Sequence, residues 1–115
     1  MDYIRHNLRD RGKEVFLVVL LNGKNQALDI VELFEGTLTT SAVYPREVIK
    51  LILEKDAAAV IFVHNHPSGN PNSSKDDQNL TLKLKAACST IDVQLHDHLI
   101  IAENEYTSMA DKGMV

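Results

Sequence analysis

At 115 residues, 44% of them hydrophobic and 24% charged, the chain has the make-up of one ordinary globular domain, able to bury a core without disulfides or a structural metal. A net charge of −4 argues against a face built to displace the counterions of duplex nucleic acid. The single cysteine, Cys88, excludes a disulfide framework and a cysteine-rich zinc knuckle; with no bilayer-length apolar run and no signal-peptide core at the start, a cytoplasmic location and no membrane partner are expected.

Residues 1–13 are polar and read as an entry segment, a fraying helix or the tail of a linker, ahead of a domain over residues 14–115. Arg5, Arg9, Arg11 and Lys13 fit a solvated segment better than a nucleic-acid patch. Glu14 opens Val15-Phe16-Leu17-Val18-Val19-Leu20-Leu21, apolar on both faces and therefore a central strand. Asn22-Gly23-Lys24-Asn25 is a turn with Asn-Gly as its hairpin signal, and residues 27–35 return as a strand that Gly36 ends. Pro45 suits the first turn of a helix running to about Asp56, with Val48, Ile49 and Ile52 turned inward. The β-former-rich run Ala58-Ala59-Val60-Ile61-Phe62-Val63 reads as a buried strand over residues 58–64. Pro67, Gly69, Asn70 and Pro71 then force a loop. A second helix starts after Ser74, its apolar stripe formed by Leu80, Leu84, Ala87, Cys88 and Ile91, with the cysteine packing as a small hydrophobe. Val93 to Ala102 is a further strand, and Glu105 to Met109 a short last one. The interleaved elements predict an α/β fold, a mixed β-sheet flanked by helices.

The chemistry concentrates in His64-Asn65-His66-Pro67-Ser68-Gly69 and in Ser74 and Asp77. Alternation along a strand sends His64 and His66 out of its end on the same face. Two imidazoles and one carboxylate form a three-ligand set that leaves a zinc ion an open fourth position. Asp77 has a second reading, because Ser74-Lys75-Asp76-Asp77 resembles a capping box. Ser73 and Asp76 offer the same pattern one residue earlier, so local sequence leaves the register open. A helix N-terminus is also a stiff mount for a carboxylate, so cap and ligand are compatible roles. Water chemistry at such a site needs a general base, and Glu14, Glu32, Glu35, Glu47 and Glu54 are upstream candidates among which composition does not choose.

The order Glu14, then His64-x-His66-x10-Asp77 with Ser74 three before the aspartate, resembles the JAMM motif of the JAB/MPN metalloproteases. Glu14-Val15-Phe16, Gly36-Thr37-Leu38, Pro45-Arg46-Glu47, His64-Asn65-His66-Pro67-Ser68-Gly69 and Asp97-His98-Leu99-Ile100-Ile101 are similar to its RadC branch, from residue 14 to about residue 108. The resemblance implies a cytidine-deaminase-like JAB/MPN architecture and a zinc-dependent peptidase or isopeptidase acting on a peptide or protein. It implies one Zn2+ held by His64, His66 and Asp77, with Glu14 as general base and Ser74 as the hydroxyl that stabilises the oxyanion. RadC-like proteins usually carry an N-terminal helical domain, for which these residues leave no room. An excised catalytic domain or a short family member is therefore expected, and a DNA link resting on that domain is not supported by this chain.

Two rival readings stand beside this one. A metal hydrolase of nucleic acid, related to DNA repair, commonly uses two metals, whereas the sequence supplies one convincing site. A non-catalytic binding module would ordinarily lack the ligand set, which this chain retains. A zinc deaminase is excluded, since its Pro-Cys-x-x-Cys needs more than one cysteine. His96-Asp97-His98 is a second His-x-His, but no third ligand follows at a fitting spacing. One of these histidines, or Asp97, is expected instead to orient a ligand from behind.

Overall fold

The computed structural model describes residues 12–115; the expectations for residues 1–11, including Arg5, Arg9 and Arg11, lie outside the described residues. The chain forms β1 (Glu14–Leu21), β2 (Ala27–Gly36), α1 (Pro45–Lys55), β3 (Ala59–Asn65), α2 (Lys75–Thr90), β4 (Gln94–Ile101) and β5 (Tyr106–Ser108). Each element expected from residue 14 onward is present, with boundaries displaced by one residue at most. Together they make a five-stranded mixed sheet flanked by two helices, in the order β2-β1-β3-β4-β5. Among the described strands only β3 and β4 run parallel, which requires a crossover, and α2 is the element that spans it.

Local chemistry accounts for the turns. Between β1 and β2, Asn22 O accepts from Asn25 N at 3.0 Å, and the Asn22 side chain accepts from the Lys24 and Gln26 amides. The left-handed residue of this turn is Asn25 (φ 59) rather than Gly23; asparagine tolerates that conformation well. α1 starts with Pro45 in its first turn and stops at Asp56, whose left-handed backbone (φ 54) lets its amide return to the Ile52 and Leu53 carbonyls.

Strand alternation divides the core in two. Phe16, Val18 and Leu20 of β1 and Val60 and Phe62 of β3 face the helices, meeting Val48 and Ile52 of α1 and Leu80, Leu84 and Cys88 of α2. Ile49 is only partly buried, as are Ala87 and Ile91. Val15, Val19, Leu21, Ala59, Val63 and Ile101 form a second cluster on the opposite face. β1 and β3 are therefore apolar on both sides, as buried strands must be. Among the described residues no helix is long and apolar enough to cross a membrane.

The aromatic pair Phe16 and Phe62, ring centroids 5.2 Å apart, sits under the end of the sheet that carries the histidines. Phe62 is completely buried, so Phe62→Ala is expected to cost about 3–5 kcal/mol of stability through lost burial and a residual cavity. A lowered urea midpoint at unchanged slope would report it, and an unchanged midpoint would contradict this account of the core.

Candidate metal centre

The end of β3 delivers both imidazoles. His64 is fully buried and His66 partly so, and their Nε2 atoms lie 3.0 Å apart. β1 runs antiparallel to β3 with Phe16 opposite His64, which sets the start of β1 beside the end of β3. Glu14, fifty positions upstream, thereby joins the two histidines: the three residues offer ligand atoms that all lie within 4.8 Å of one another. The Glu14 carboxylate is steadied by the Leu38 amide, which donates to Oε2 at 2.8 Å. Gly36 makes that approach possible, since it pairs with Glu14 at the strand end and turns the chain with φ 137, a conformation nearly reserved for glycine.

Asp77 enters from the helix. Ser74 is the N-cap of α2: its hydroxyl accepts from the Asp77 amide at 3.0 Å, while Asp77 Oδ2 accepts from the Ser74 amide at 2.7 Å. The same carboxylate reaches His64 Nε2 through Oδ1 at 3.1 Å and His66 Nε2 through Oδ2 at 3.0 Å. Capping and closing the donor cluster thus coexist in one side chain. The neighbouring register is occupied otherwise, for Asp76 is exposed and takes the Thr40 hydroxyl at 2.7 Å, and Ser73 takes the Gln78 side-chain amide. Of the five glutamates open on sequence grounds, Glu14 is the one beside the histidines.

Three residues that local sequence did not single out hold this arrangement. Asn65 points to the opposite face from its two neighbours, where its Oδ1 accepts from the Val15 amide at 2.6 Å and its Nδ2 donates to the Lys13 carbonyl at 3.0 Å. It therefore grips the backbone on both sides of Glu14. Asn70 supplies a carbonyl to His66 Nδ1 at 2.8 Å. A carbonyl can only accept, so Nδ1 carries a proton, and in the neutral ring the Nε2 lone pair faces the cluster. Thr81, buried in α2, contacts His98 Nδ1 through its hydroxyl at 2.5 Å, and His98 Nε2 meets His64 Nδ1 at 2.7 Å. Of the second His-x-His, only His98 touches a cluster residue. His96 bonds Asn25 in the β1–β2 turn, and Asp97 ties β4 to the Ser108 hydroxyl and the Ala110 amide.

The electrostatics follow from the packing. Hydrogen bonding to Asp77 raises the His66 pKa above its ordinary 6.5, against burial and with help from Asn70 and Glu14. Burial alone would raise the pKa of Asp77, but its bonds to His64, His66 and the Ser74 amide outweigh that and hold it well below the carboxylate range. Burial, with His64 close by, pushes His98 well below 6.5, so it is neutral.

The donor set fits a divalent cation. An imidazole lone pair and a carboxylate facing each other at 3.0 Å repel unless a proton or a metal lies between them. The 3.0 Å separation of the two Nε2 atoms is also close to the edge of a tetrahedron, about 3.3 Å for nitrogen ligands at zinc, and Asp77 meets the two imidazoles through different oxygens. Glu14, His66 and Ser74 border a cleft of about 380 Å3 that opens on the cluster, leaving one side accessible.

The sequence matches the RadC-like JAB domain over residues 1–114. It is 49% identical over 114 residues to a UPF0758 protein of Shewanella baltica strain OS185. UPF0758 proteins of Shewanella woodyi and Shewanella amazonensis are each 48% identical over 114 residues. In all three alignments 99% of the chain is covered against 51% of the relative, so the chain spans about half the length of these curated proteins.

The paired shifts set a pH window for the metal-free protein. The raised His66 pKa gives stability that is complete below 6.5 and lost as pH rises through the folded value. The lowered Asp77 pKa gives stability that is complete above 3.8 and lost as pH falls through its depressed value. Both contributions are whole only between these limits. The melting temperature of chelator-treated protein is therefore expected to fall as pH rises above 6.5, and His66→Gln to flatten that fall. A wild-type profile already flat above that pH would contradict the assignment.

Proposed function

The chain belongs to the family of RadC-like JAB domains, and on that premise we propose that it is a zinc-dependent peptidase or isopeptidase. The observation that carries the proposal is the convergence of His64 Nε2, His66 Nε2 and the Asp77 carboxylate within 3.1 Å of one another, with Glu14 beside them. Two imidazoles and a carboxylate suit zinc, and a fourth position open to the cleft suits hydrolysis. Bound there, the ion would supply Lewis acidity, polarising the scissile carbonyl and making water nucleophilic near neutral pH.

The chain's own groups divide the remaining work. Glu14, held by the Leu38 amide through one oxygen, takes the proton of the attacking water as the new carbon–oxygen bond forms. It returns that proton to the leaving nitrogen as the carbon–nitrogen bond breaks. Ser74 accepts from the Asp77 amide with a lone pair, which leaves its own proton to donate to the oxyanion at the cleft mouth, a contact strongest in the transition state. His64, His66 and Asp77 bind and orient, and the buried aromatic floor beneath them excludes water from behind.

Glu14→Gln is expected to retain zinc and lose about 10²–10⁴-fold in turnover, measured on casein and on isopeptide-linked peptides. His66→Ala should lose the metal itself, read by elemental analysis after dialysis. Undiminished cleavage by the first variant, or a full equivalent of zinc in the second, would sink the proposal. Metal-dependent nicking of DNA that both substitutions abolish, without peptide cleavage, would replace it with the nucleic-acid hydrolase.

A further inference from the structure

His64 can ligate a cation through Nε2 only if its proton sits on Nδ1, and nothing in the histidine itself enforces that choice. The choice is made one shell further out. Asp77 O accepts from the Thr81 hydroxyl at 2.7 Å, Thr81 Oγ1 meets His98 Nδ1 at 2.5 Å, and His98 Nε2 meets His64 Nδ1 at 2.7 Å. His64 Nε2 then returns to the Asp77 carboxylate at 3.1 Å, so the contacts close into a ring that begins and ends on one residue. His64, His98 and Thr81 are each 0% exposed. Phe16 stacks on His64 and meets His98 edge-on, with Phe62 against the second edge. The strong acceptors within reach of the protons inside this ring belong to the ring itself.

Two proton orders are consistent with the four contacts. In one, His98 carries its proton on Nδ1 and presents a bare Nε2, and His64 donates to it from Nδ1 and keeps a lone pair for the cation. In the other, every proton is reversed and His64 Nε2–H blocks the site. The Asp77 carbonyl separates them because it can only accept. Once the Thr81 proton is committed there, its oxygen has only lone pairs left for His98, which must then donate from Nδ1. The other acceptor near Thr81, the Met109 sulfur at 3.7 Å, is too weak and distant to compete.

We infer that Thr81 and His98 are positioning residues that fix the His64 tautomer, with the Asp77 backbone carbonyl as the anchor of the proton order. This rests on the reading of His64 as a ligand, yet it predicts something separate from metal binding. His98 should be held as the Nδ1–H form, against the Nε2–H preference of a free imidazole.

Nitrogen-15 NMR of the histidine rings in zinc-loaded protein, at about pH 8 so that imidazoles are neutral, reads the tautomer directly. The expected result is a protonated Nδ1 and a bare Nε2 on His98. Thr81→Val keeps the shape, touches neither His64 nor the cation, and frees the order to reverse. It is expected to weaken zinc binding about tenfold or more, measured by competition with a chromophoric chelator. His98→Gln places an acceptor oxygen where Nε2 stood and should stay within about threefold of wild type, whereas His98→Leu should not. Circular dichroism checks that each variant is folded, and the wild-type spectrum decides by itself if none is. A wild type that binds no zinc but shows His98 as Nδ1–H would remove the metal reading and leave the tautomer inference standing. A wild type that binds zinc with His98 as Nε2–H, or a folded Thr81→Val with unchanged affinity, overturns the inference.

Discussion

The candidate centre depends on one register, the antiparallel pairing of β1 with β3 that sets Phe16 opposite His64. Side chains alternate with a period of two, so a slip of one residue would send both imidazoles to the far face and leave Glu14 with no partner. The register is secured by apolar area along the strands and by the Asn65 clasp at their end. Phe16, Val18, Val60 and Phe62 must face the helices and Val15, Val19, Ala59 and Val63 the other side, and exchanging the two sets would clash with α1 and α2. A hydrophobic constraint thus places the polar groups, which lie where the apolar pattern runs out.

Asp77 makes the second demand. Its carboxylate accepts the Ser74 amide, faces both imidazoles and sits at 1% exposure, a costly position for a charge unless every lone pair is met. The helix meets part of that cost, because the N-terminal amides of α2 carry partial positive charge where the carboxylate lies. The cap therefore does more than start a helix. Together with the two imidazoles, it lets an ionised acid exist in the interior.

How much of this was legible follows from distance along the chain. Local patterns were readable: the β-former run into His64, the Pro/Gly loop after it, and the apolar stripe of α2 each announce themselves within a dozen residues. Same-face placement of His64 and His66 needs only alternation. Glu14 was legible only through family resemblance, because pairing between β1 and β3 spans fifty residues and five glutamates carry equal local credentials. Asp76 and Asp77 were indistinguishable as caps until packing turned Asp77 inward and gave Asp76 to Thr40. His96 and His98 look alike in sequence, yet they lie at different places on β4. Only the β3–β4 pairing, which sets Phe62 beside His98, says which of them stands behind His64. Thr81 had no signal at all beyond being a hydroxyl inside an apolar stripe.

Asn65 has a mechanical consequence. The alternation that sends its neighbours to one face sends its amide to the other, where it clasps Lys13 and Val15 across the strand boundary. Sheet ends fray first, and fraying would ordinarily let β1 and β3 separate at the point where Glu14 faces the histidines. Riveted by a side chain from between the two imidazoles, the strand ends can only breathe together. Widening the gap between carboxylate and imidazoles would first have to break both amide contacts of Asn65.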